Sequence, residues 1–376
     1  MNLNTLVLCS DDTIMRVLRR VLSDLEVGIE TCADADSAVR RLTRTRFEAV
    51  VVDCVDEDMA ARVLSCVRSA PCNKHAIAVA MIDGQKALRS AFALGAHFVL
   101  YKPITFDRAR GSFRAARALM KCERRRNVRV PVEIPVTLFS GADQQRITTL
   151  DISEGGIAVR VPRHLHKSRG VRIKFTLPGT EQVIDCAAEV AWKNPGAQTG
   201  VRFLELSREQ RHHLKAWLVR HAPEIEPDDP PVSCRITDVS AAACYLEMSS
   251  PFPARTRVVL TVQTGEIRLS VDGVVRVMHP ETGMGAEFTQ TTEAQRTQTE
   301  KFVQAVKAGT VSSAFTVLPE GMDDEDSPGE EMPSNIDDPL LNLFRRSAEF
   351  TSEAFREELR AQRRAASTGQ ATAAAV

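Results

Sequence analysis

The stretch of residues 123–156 most constrains what this chain can fold into. Pro131 and Pro135 exclude a long helix across it, because proline lacks a backbone N–H and restricts the residue before it. A run of arginines comes just before and beside these prolines: Arg124, Arg125, Arg126 and Arg129. We therefore predict that the arginines lie on a flexible connector that leads into a strand.

The spacing of these arginines indicates the class of ligand. A guanidinium group presents its N–H donors in a planar fork that matches phosphate oxygens two at a time. Arg125 and Arg129 are four residues apart and suit an anionic ligand with more than one phosphate. A connector of this kind can fold onto such a ligand.

A polar turn follows the connector. Asp151, Ser153, Gly155 and Gly156 separate two runs of alternating apolar residues that predict strands. Asp and Ser side chains bond to nearby backbone groups, and glycine allows close backbone approach, so we expect a compact polar cup. The alternative is a solvated basic linker followed by an ordinary hairpin turn.

The two motifs together, in this order and spacing, resemble the PilZ domain, a small β-barrel that binds the bacterial second messenger cyclic di-GMP. The resemblance extends from about residue 123 to about residue 222. It implies that the arginines bind phosphates and a guanine face, and that the polar turn contacts the other guanine edges. The implied binding residues are Arg124, Arg125, Arg129, Asp151, Ser153, Gly155 and Gly156.

The first 120 residues alternate short apolar segments with amphipathic ones. Strands are predicted at 5–9, 28–32, 49–53, 76–82 and 98–101, and helices at 13–25, 35–43, 59–68, 85–93 and 106–120. Five such units predict a parallel α/β sheet covered on both faces. Ligands of such a sheet lie outside the carboxyl ends of its strands.

Charged residues at those strand ends resemble the receiver domain of two-component response regulators, as do the pairs Gly95-Ala96 and Lys102-Pro103. The resemblance implies a flavodoxin-like, doubly wound sheet in which Asp53 accepts a phosphoryl group. Asp11 would help to hold Mg²⁺ together with Asp53, and Lys102 would contact the phosphoryl group.

Two departures from the receiver pattern favour a degenerate domain used for docking or dimerisation. The adjacent acidic pair expected after the first strand falls on Ser10 and Asp11, with Asp12 one place too late. The hydroxyl residue expected at the end of the fourth strand falls on Ala80 when counted back from Lys102. Active phosphotransfer at Asp53 remains the alternative.

After the connector, the pattern predicts a six-stranded barrel and a helix, with strands at 134–140, 146–152, 157–161, 171–177, 183–192 and 200–206 and the helix at 208–221. The same order then returns. Asp238-Val-Ser240-Ala-Ala-Ala243 repeats the polar turn, but the arginine motif is absent and Ala243 replaces the motif glycine. We therefore expect a degenerate second PilZ-type barrel. Its first strand is hard to find, so two alternatives stay open: the barrel is incomplete, or another segment completes it.

The predicted organisation is therefore multidomain, α/β followed by β. It comprises a receiver-like domain at 1–120, a PilZ domain at 121–222, a linker at 223–231, a degenerate second PilZ-like domain at 232–310, and an acidic linker with an amphipathic tail at 311–376. In the tail, one amphipathic helix is predicted from Pro339 through Arg364, and disorder beyond it.

Composition narrows the class of function. The 49 basic and 49 acidic side chains balance, so we expect no direct binding to nucleic acid or to a membrane surface. Nine cysteines without a Cys-x-x-Cys pair, no signal peptide and no membrane-spanning run favour a cytoplasmic protein. No catalytic motif is visible, so we predict no enzyme and no cofactor besides Mg²⁺ in an active receiver.

These observations predict a signalling effector that binds cyclic di-GMP and acts on a protein partner that the sequence does not name. Nucleotide binding at the arginine connector would reorder the domains. Two alternatives stay open: a phosphorylation-regulated response regulator that uses Asp53, and a scaffold that binds neither ligand. A homodimer is also compatible with the sequence.

Overall fold

The computed structural model describes residues 3–141, 143–160, 170–194, 198–204, 206–222, 225–264, 267–308, 314–323, 338–347 and 350–373. The chain divides into two compact units. One unit contains residues 121–228, and the other contains residues 2–120 together with 229–376.

The N-terminal part of the second of these units is a five-stranded parallel sheet with strand order β2-β1-β3-β4-β5. Its strands are β1 (Leu3–Leu8), β2 (Val27–Cys32), β3 (Ala49–Asp53), β4 (Ile77–Ile82) and β5 (Phe98–Tyr101), and its helices are α1 (Asp12–Asp24), α2 (Ala35–Leu42), α3 (Glu57–Ser69), α4 (Leu88–Ala93) and α5 (Phe106–Asn127). Every residue of β3 and β4 is buried, as expected for strands covered on both faces. The predicted flavodoxin-like fold is confirmed.

Helix α5 is longer than the sequence predicted. It continues to Asn127, so Arg124, Arg125 and Arg126 lie on its last turns and not on a flexible connector. The physical reason is that Lys, Glu and Arg are good helix formers, whereas Pro131 restricts only the residue directly before it. Arg129 follows the helix.

Residues 121–228 contain the first barrel. Its strands are β6 (Val130–Pro131), β7 (Pro135–Ser140), β8 (Asp143–Ile152), β9 (Gly156–Arg160), β10 (Val171–Thr176), β11 (Val183–Lys193) and β12 (Gln198–Phe203). Strands β7 to β12 pair in a ring of six, and the short β6 adds to β8. Helix α6 (Arg208–His221) begins at a capping box on Ser207 and buries Leu214, Trp217 and Leu218 in the barrel core.

The second barrel is a closed ring with the order β13-β14-β17-β16-β15-β18. Its elements are β13 (Val232–Val239), β14 (Ala243–Glu247), β15 (Thr256–Thr264), β16 (Ile267–His279), β17 (Gly283–Phe288), α7 (Glu293–Lys307) and β18 (Ala314–Met322). Two six-stranded barrels were predicted, and both are present.

The second barrel is a circular permutation of the first. Strand β7 pairs with β8 and β10 in the first ring, and β18 pairs with β13 and β15 at the matching place in the second. The missing first strand is therefore supplied from beyond α7. The predicted boundary at residue 310 is wrong, because leaving the ring open would expose two unpaired strand edges.

The second barrel and the α/β part share one hydrophobic core within their unit. Phe113 on α5 belongs to the same buried cluster as Phe252 of the barrel. Arg108 on α5 donates two hydrogen bonds to Glu281, from Nε at 2.6 Å and from Nη2 at 2.5 Å. The receiver-like domain thus uses α5 to dock on the second barrel.

The tail contains two helices where one was predicted, α8 (Pro339–Arg345) and α9 (Ser352–Ala373). Disorder was predicted from residue 365, but α9 continues to Ala373, because its alanine-rich sequence favours a helix. The acidic stretch 324–337 and residues 374–376 lie outside the described residues, as do residue 161 at the end of one predicted strand and residue 205 within another.

Two further sequence predictions meet the structure here. Residues 225–228 of the predicted linker belong to the first unit, where Ile225 is buried in the barrel core. All nine cysteines are free thiols, and Cys72 among them is exposed. Among the described helices, none combines the length and apolar character needed to cross a bilayer.

Candidate functional site

The motif arginines lie where the end of α5 meets the first barrel. Arg124, Arg125 and Arg126 end the helix, and Arg129 directly precedes β6. Nη1 of Arg129 donates to Oδ1 of Asp151 at 2.8 Å. The Arg129 side chain keeps 46% of its surface exposed.

Arg125 lies in a buried cluster of charges. Its side chain is 1% exposed, and it donates from Nε to Glu154 Oε2 at 2.6 Å and from Nη1 to Asp228 Oδ1 at 2.5 Å. Lys215 Nζ on α6 lies 3.6 Å from Glu154 Oε1 and 4.0 Å from Asp228 Oδ2. Two cations thus face two carboxylates, which is the arrangement that makes a buried charge tolerable.

The electrostatics of Arg125 follow from this burial. Desolvation alone would lower the pKa of the guanidinium, but the charges of Glu154 and Asp228 raise that pKa above its ordinary value. Arg125 therefore stays protonated. Burial also raises the pKa of the neighbouring Cys122 thiol to about 12, so this thiol stays neutral.

The Asp151–Gly156 turn is held by its own backbone. The Ser153 N–H donates to the Gly156 carbonyl at 2.8 Å, and the Ser153 hydroxyl donates to the same oxygen at 3.1 Å. A Cβ at Gly156 would overlap the Val201 carbonyl oxygen. In this structure Ser153, which is 2% exposed, and Gly156 shape the turn, whereas Asp151 and Glu154 accept hydrogen bonds from Arg129 and Arg125.

Three residues at this site were missed by the sequence-based prediction. Arg126 packs its Cγ 3.9 Å from the position of a Cβ on Gly155, and Asp228 and Lys215 complete the Arg125 cluster. Arg126 was part of the arginine run and was omitted. Asp228 lies 103 residues from Arg125, and no local pattern connects the two.

In the receiver-like domain, Asp53 and Lys102 are brought together and Asp11 is used elsewhere. Lys102 Nζ lies 2.6 Å from Asp53 Oδ1, and the Cys9 thiol donates to Asp53 Oδ2 at 3.7 Å. Asp11 caps α1, and its Oδ1 accepts from the backbone N–H of Thr13 at 2.7 Å and of Ile14 at 3.1 Å. These hydrogen bonds lower the pKa of Asp11, and the bond from Ile14 has the larger effect.

The receiver pocket fits a resident Mg²⁺ poorly. Within the described ranges, no group of three or more His, Cys, Asp or Glu residues is placed to hold a metal ion. The predicted ligands Asp11 and Asp53 are engaged by a helix cap and by Lys102. Ala80 lies two residues before the end of β4 at Ile82, and Asp83 follows, so the strand end also lacks a hydroxyl. We derive no step through a metal.

The second barrel repeats the turn of the first. The Ser240 N–H donates to the Ala243 carbonyl at 2.9 Å and its hydroxyl donates at 3.1 Å, which matches Ser153 and Gly156. Phe288 N donates to Ala242 O at 2.8 Å, as Phe203 N donates to Gly155 O at 2.9 Å. The scaffold of the motif is present twice, although the arginine motif occurs once.

Comparison with protein families finds two matching segments. The PilZ domain family matches residues 123–220 and again residues 218–305. A search of the curated proteins found no match.

Solved structures match parts of the chain. They include the PilZ domain of CeSA from a cellulose-synthesizing bacterium, at 22% identity over 25% of this chain and 97% of that chain, with a TM-score of 0.21. The receiver domain of a sensor histidine kinase from Pseudomonas aeruginosa is 18% identical to this chain. The match covers 32% of this chain and 98% of that one, with a TM-score of 0.28. The chemotaxis response regulator CheY4 of Vibrio cholerae is also 18% identical. The match covers 31% of this chain and 99% of that one, with a TM-score of 0.29.

The first match contains both the arginine motif and the Asp151–Gly156 turn. The second contains the Asp238–Ala243 turn without the arginines, and it ends before β18, the permuted strand. The motif geometry, the two barrels and the family matches lead to one conclusion. The chain combines an N-terminal flavodoxin-like domain with two barrels, and residues 123–220 and 218–305, which contain most of these barrels, each match the PilZ domain family.

Proposed function

We propose that this protein is a cyclic di-GMP-binding effector whose nucleotide site is formed by Arg125, Arg129 and Asp151 of the first barrel. The observation that carries the proposal is the half-exposed Arg129, held by Asp151 beside the motif turn. Arg124 and Arg126 lie on the adjacent end of α5 and add positive charge. The proposed role is binding, with no catalytic step.

The chemistry of the ligand suits these groups. Cyclic di-GMP carries two phosphodiester charges and two guanine bases. The exposed guanidinium of Arg129 is placed to donate to a phosphate, and such charge-assisted hydrogen bonds are stronger than neutral ones. Asp151 bears a carboxylate that accepts the N–H donors of a guanine edge. Ser153 and Gly156 support the site through the turn that they close.

Arg125 requires an exchange of partners before it can bind a phosphate. In this structure its donors are taken by Glu154 and Asp228. We propose that a ligand phosphate replaces the Asp228 carboxylate on Nη1, since both are anionic oxygen acceptors. Asp228 belongs to the segment that follows α6, so the exchange would release that segment. We propose that this release, and a change at the end of α5, reorder the two units and are sensed by a protein partner.

The direct test is calorimetric titration of the full chain with cyclic di-GMP. Arg129→Ala is expected to weaken binding by about tenfold or more, because one lost charge-assisted hydrogen bond contributes about 1.5–3 kcal/mol. Arg172→Ala is the matched control. Arg172 lies on β10 of the same barrel and pairs with Asp185 at 2.6 Å, as Arg129 pairs with Asp151.

The control variant should bind within about twofold of the wild type, because Arg172 lies outside the motif. Equal affinities of the wild type and Arg129→Ala would refute the proposed site. A chain that binds no nucleotide, with no thermal shift, would instead support the scaffold alternative.

The phosphorylation alternative has a separate test. Incubation with acetyl phosphate and Mg²⁺ is expected to leave the mass of the intact protein unchanged, because Asp53 is paired with Lys102 and the metal donors are incomplete. A phosphoaspartate that Asp53→Asn abolishes would establish phosphotransfer.

A further inference from the structure

The two motif turns can be compared residue by residue through their strand registers. In the first barrel Asp151 lies opposite Ala158, directly after an irregularity in the β8–β9 pairing. In the second barrel Asp238 lies opposite Tyr245, directly after the same irregularity in the β13–β14 pairing. Asp238 therefore occupies the position of Asp151.

A second pair of positions is equivalent at the facing strands. Gly200 lies opposite Trp192 after a shift in the β11–β12 register, and Gly285 lies opposite Val277 after the same shift in β16–β17. The Trp192 side chain covers Gly200, because a Cβ there would overlap the indole ring. The second barrel has valine in place of this tryptophan.

The tail supplies the aromatic ring that the second barrel lacks. A Cβ on Gly285 would overlap the ring of Phe344, which lies on α8. Phe344 is 3% exposed and belongs to a buried cluster with Tyr245 and Val277. The ring over the glycine thus comes from a neighbouring strand in one barrel and from the tail in the other.

The tail also supplies an arginine. Arg363 on α9 donates to Asp238 from Nε to Oδ1 at 2.5 Å and from Nη2 to Oδ2 at 2.7 Å. This pair corresponds to Arg129 and Asp151 of the first barrel. A bidentate guanidinium–carboxylate contact of this kind fixes geometry as well as charge.

Further contacts anchor the same two helices. Phe355 and Leu359 of α9 are buried at 0% and 2% exposure, and the ring centroid of Phe355 lies 4.4 Å from that of His279 in a tilted arrangement. Asp338 caps α8 and also accepts from the backbone N–H of Ala242, inside the motif turn, at 3.2 Å. The tail therefore covers the turn itself.

We propose that the second barrel is a docking module for an arginine-bearing amphipathic helix, and that the chain's own helices α8 and α9 are its resident ligand. They cover the face that, under the proposed function, the first barrel offers to the nucleotide. Each chain consequently has one nucleotide site. The second barrel binds a helix through Asp238 and Gly285 where the first binds a nucleotide.

Hydrogen exchange of the full chain tests the docking. Arg363→Ala should raise amide exchange in residues 350–364 by about five- to tenfold, because a partly buried bidentate pair is lost. Phe344→Ala should raise exchange in residues 338–347 by more than tenfold, since it empties the contact over Gly285. Arg360→Ala is the matched control, as Arg360 is exposed on the same helix, and should change nothing.

Exchange in the β13 and β14 peptides reports whether the barrel itself remains folded. The docking proposal is wrong if the barrel remains folded in both Arg363→Ala and Phe344→Ala and the tail peptides still exchange as in the wild type. The paired variant Asp238→Arg with Arg363→Asp should restore protection relative to Arg363→Asp alone. If the paired variant is no better protected than Arg363→Asp alone, the ion pair has no specific role in docking.

Titration with the nucleotide separates this inference from the proposed function. Titration of Phe344→Ala with cyclic di-GMP should give one site, as in the wild type, because the second barrel lacks the arginine motif. Two sites in the variant would overturn the inference while leaving the proposed function intact. No site in either protein would overturn the proposed function, and the exchange data would still decide the docking.

Discussion

The first and second barrels share a ring of strands and a motif turn but differ in what lies on that turn. In the first, Arg129 from the segment after α5 contacts Asp151; in the second, Arg363 from the C-terminal helix contacts Asp238. The comparison teaches that the turn is a scaffold that holds an aspartate, and that the arginine paired with this aspartate comes from a different segment of the chain in each barrel.

The buried surroundings of the two turns also differ in chemistry. The first barrel buries Arg125 among the carboxylates of Glu154 and Asp228. The second buries Tyr245, whose hydroxyl lies 3.1 Å from Nδ1 of His279, under Phe355. Charged groups can exchange one anion for another, whereas an aromatic cluster is matched to apolar side chains. This difference agrees with a nucleotide on one barrel and a helix on the other.

The largest expected effect distinguishes a buried arginine from exposed ones. Arg125→Ala should lower the free energy of unfolding of the first barrel by about 3 kcal/mol, because it removes a fully buried guanidinium and leaves the carboxylates of Glu154 and Asp228 with one cation fewer. Arg172→Ala, with a 65% exposed side chain, should cost less than about 1 kcal/mol. Urea denaturation followed by tryptophan fluorescence measures this unfolding, since Trp192 and Trp217 both lie in the first barrel.

Similar losses for Arg125→Ala and Arg172→Ala would mean that the charge cluster contributes nothing beyond a surface pair. The matching change in the second barrel, Arg363→Ala, should leave the tryptophan-monitored transition where it is. A shift of that transition would show that the two barrels do not unfold independently.

The second effect in size is a pH dependence confined to the second barrel. Burial, together with the charge of Arg356, lowers the pKa of His279 to about 4 from its ordinary 6.5. The unfolded chain therefore binds the proton first, and stability, complete above pH 6.5, should decrease as the pH falls toward 4. The slope is about 1.4 kcal/mol per pH unit, and the total is on the order of 3 kcal/mol.

The measurement compares the wild type with His279→Gln, whose amide can still bond to the Tyr245 hydroxyl. Denaturation followed by far-ultraviolet circular dichroism between pH 7 and pH 4 should show a smaller decline in the variant. Identical pH profiles would mean that His279 is protonated in the folded state, against the expected effect of its burial.

A smaller effect concerns the last position of the motif turns, which is glycine in the first barrel and alanine in the second. Gly156→Ala should destabilise the first barrel by about 1–3 kcal/mol, because the new Cβ would overlap the Val201 carbonyl oxygen. The reciprocal change, Ala243→Gly, should cost the second barrel about 0.5–1 kcal/mol through backbone entropy. If Gly156→Ala destabilised the first barrel as little as Ala243→Gly destabilises the second, alanine at position 243 would not indicate that the two turns have diverged.

The smallest effect tests the exchange of anions at Arg125. Asp228→Asn keeps a hydrogen-bond acceptor for Nη1 but removes the competing charge, so cyclic di-GMP should bind about two- to fivefold more tightly. Calorimetry measures the change, with Asp185→Asn on the same barrel as the control. Weaker binding by Asp228→Asn would show that Asp228 contributes to the site and does not compete with the ligand.

Much of the architecture followed from local patterns. The five βα units, the strands around the Asp151 and Asp238 turns, and the loss of the second arginine motif were all visible in the residues themselves. The helix predicted at 208–221 agrees with α6 to the residue. These features depend on neighbours within a few positions, which is the range over which periodicity and capping act.

Two parts of the molecule that local patterns did not reveal involve distant partners. Arg125 on the extended helix α5 contacts Glu154 and Asp228, and β18 leaves the predicted tail because the open ring requires a sixth strand. Arg363 reaches Asp238 across 125 positions in the chain.

The sequence by itself determined the two kinds of fold, the motif turns and the positions of the arginines, because each of these depends on residues that lie close together in the chain. Only the tertiary structure decided which carboxylate holds which arginine, and that the tail covers the second barrel. The physical reason is that ion pairs and ring contacts form between whichever groups the fold brings within a few ångströms of each other. Separation along the chain does not limit them.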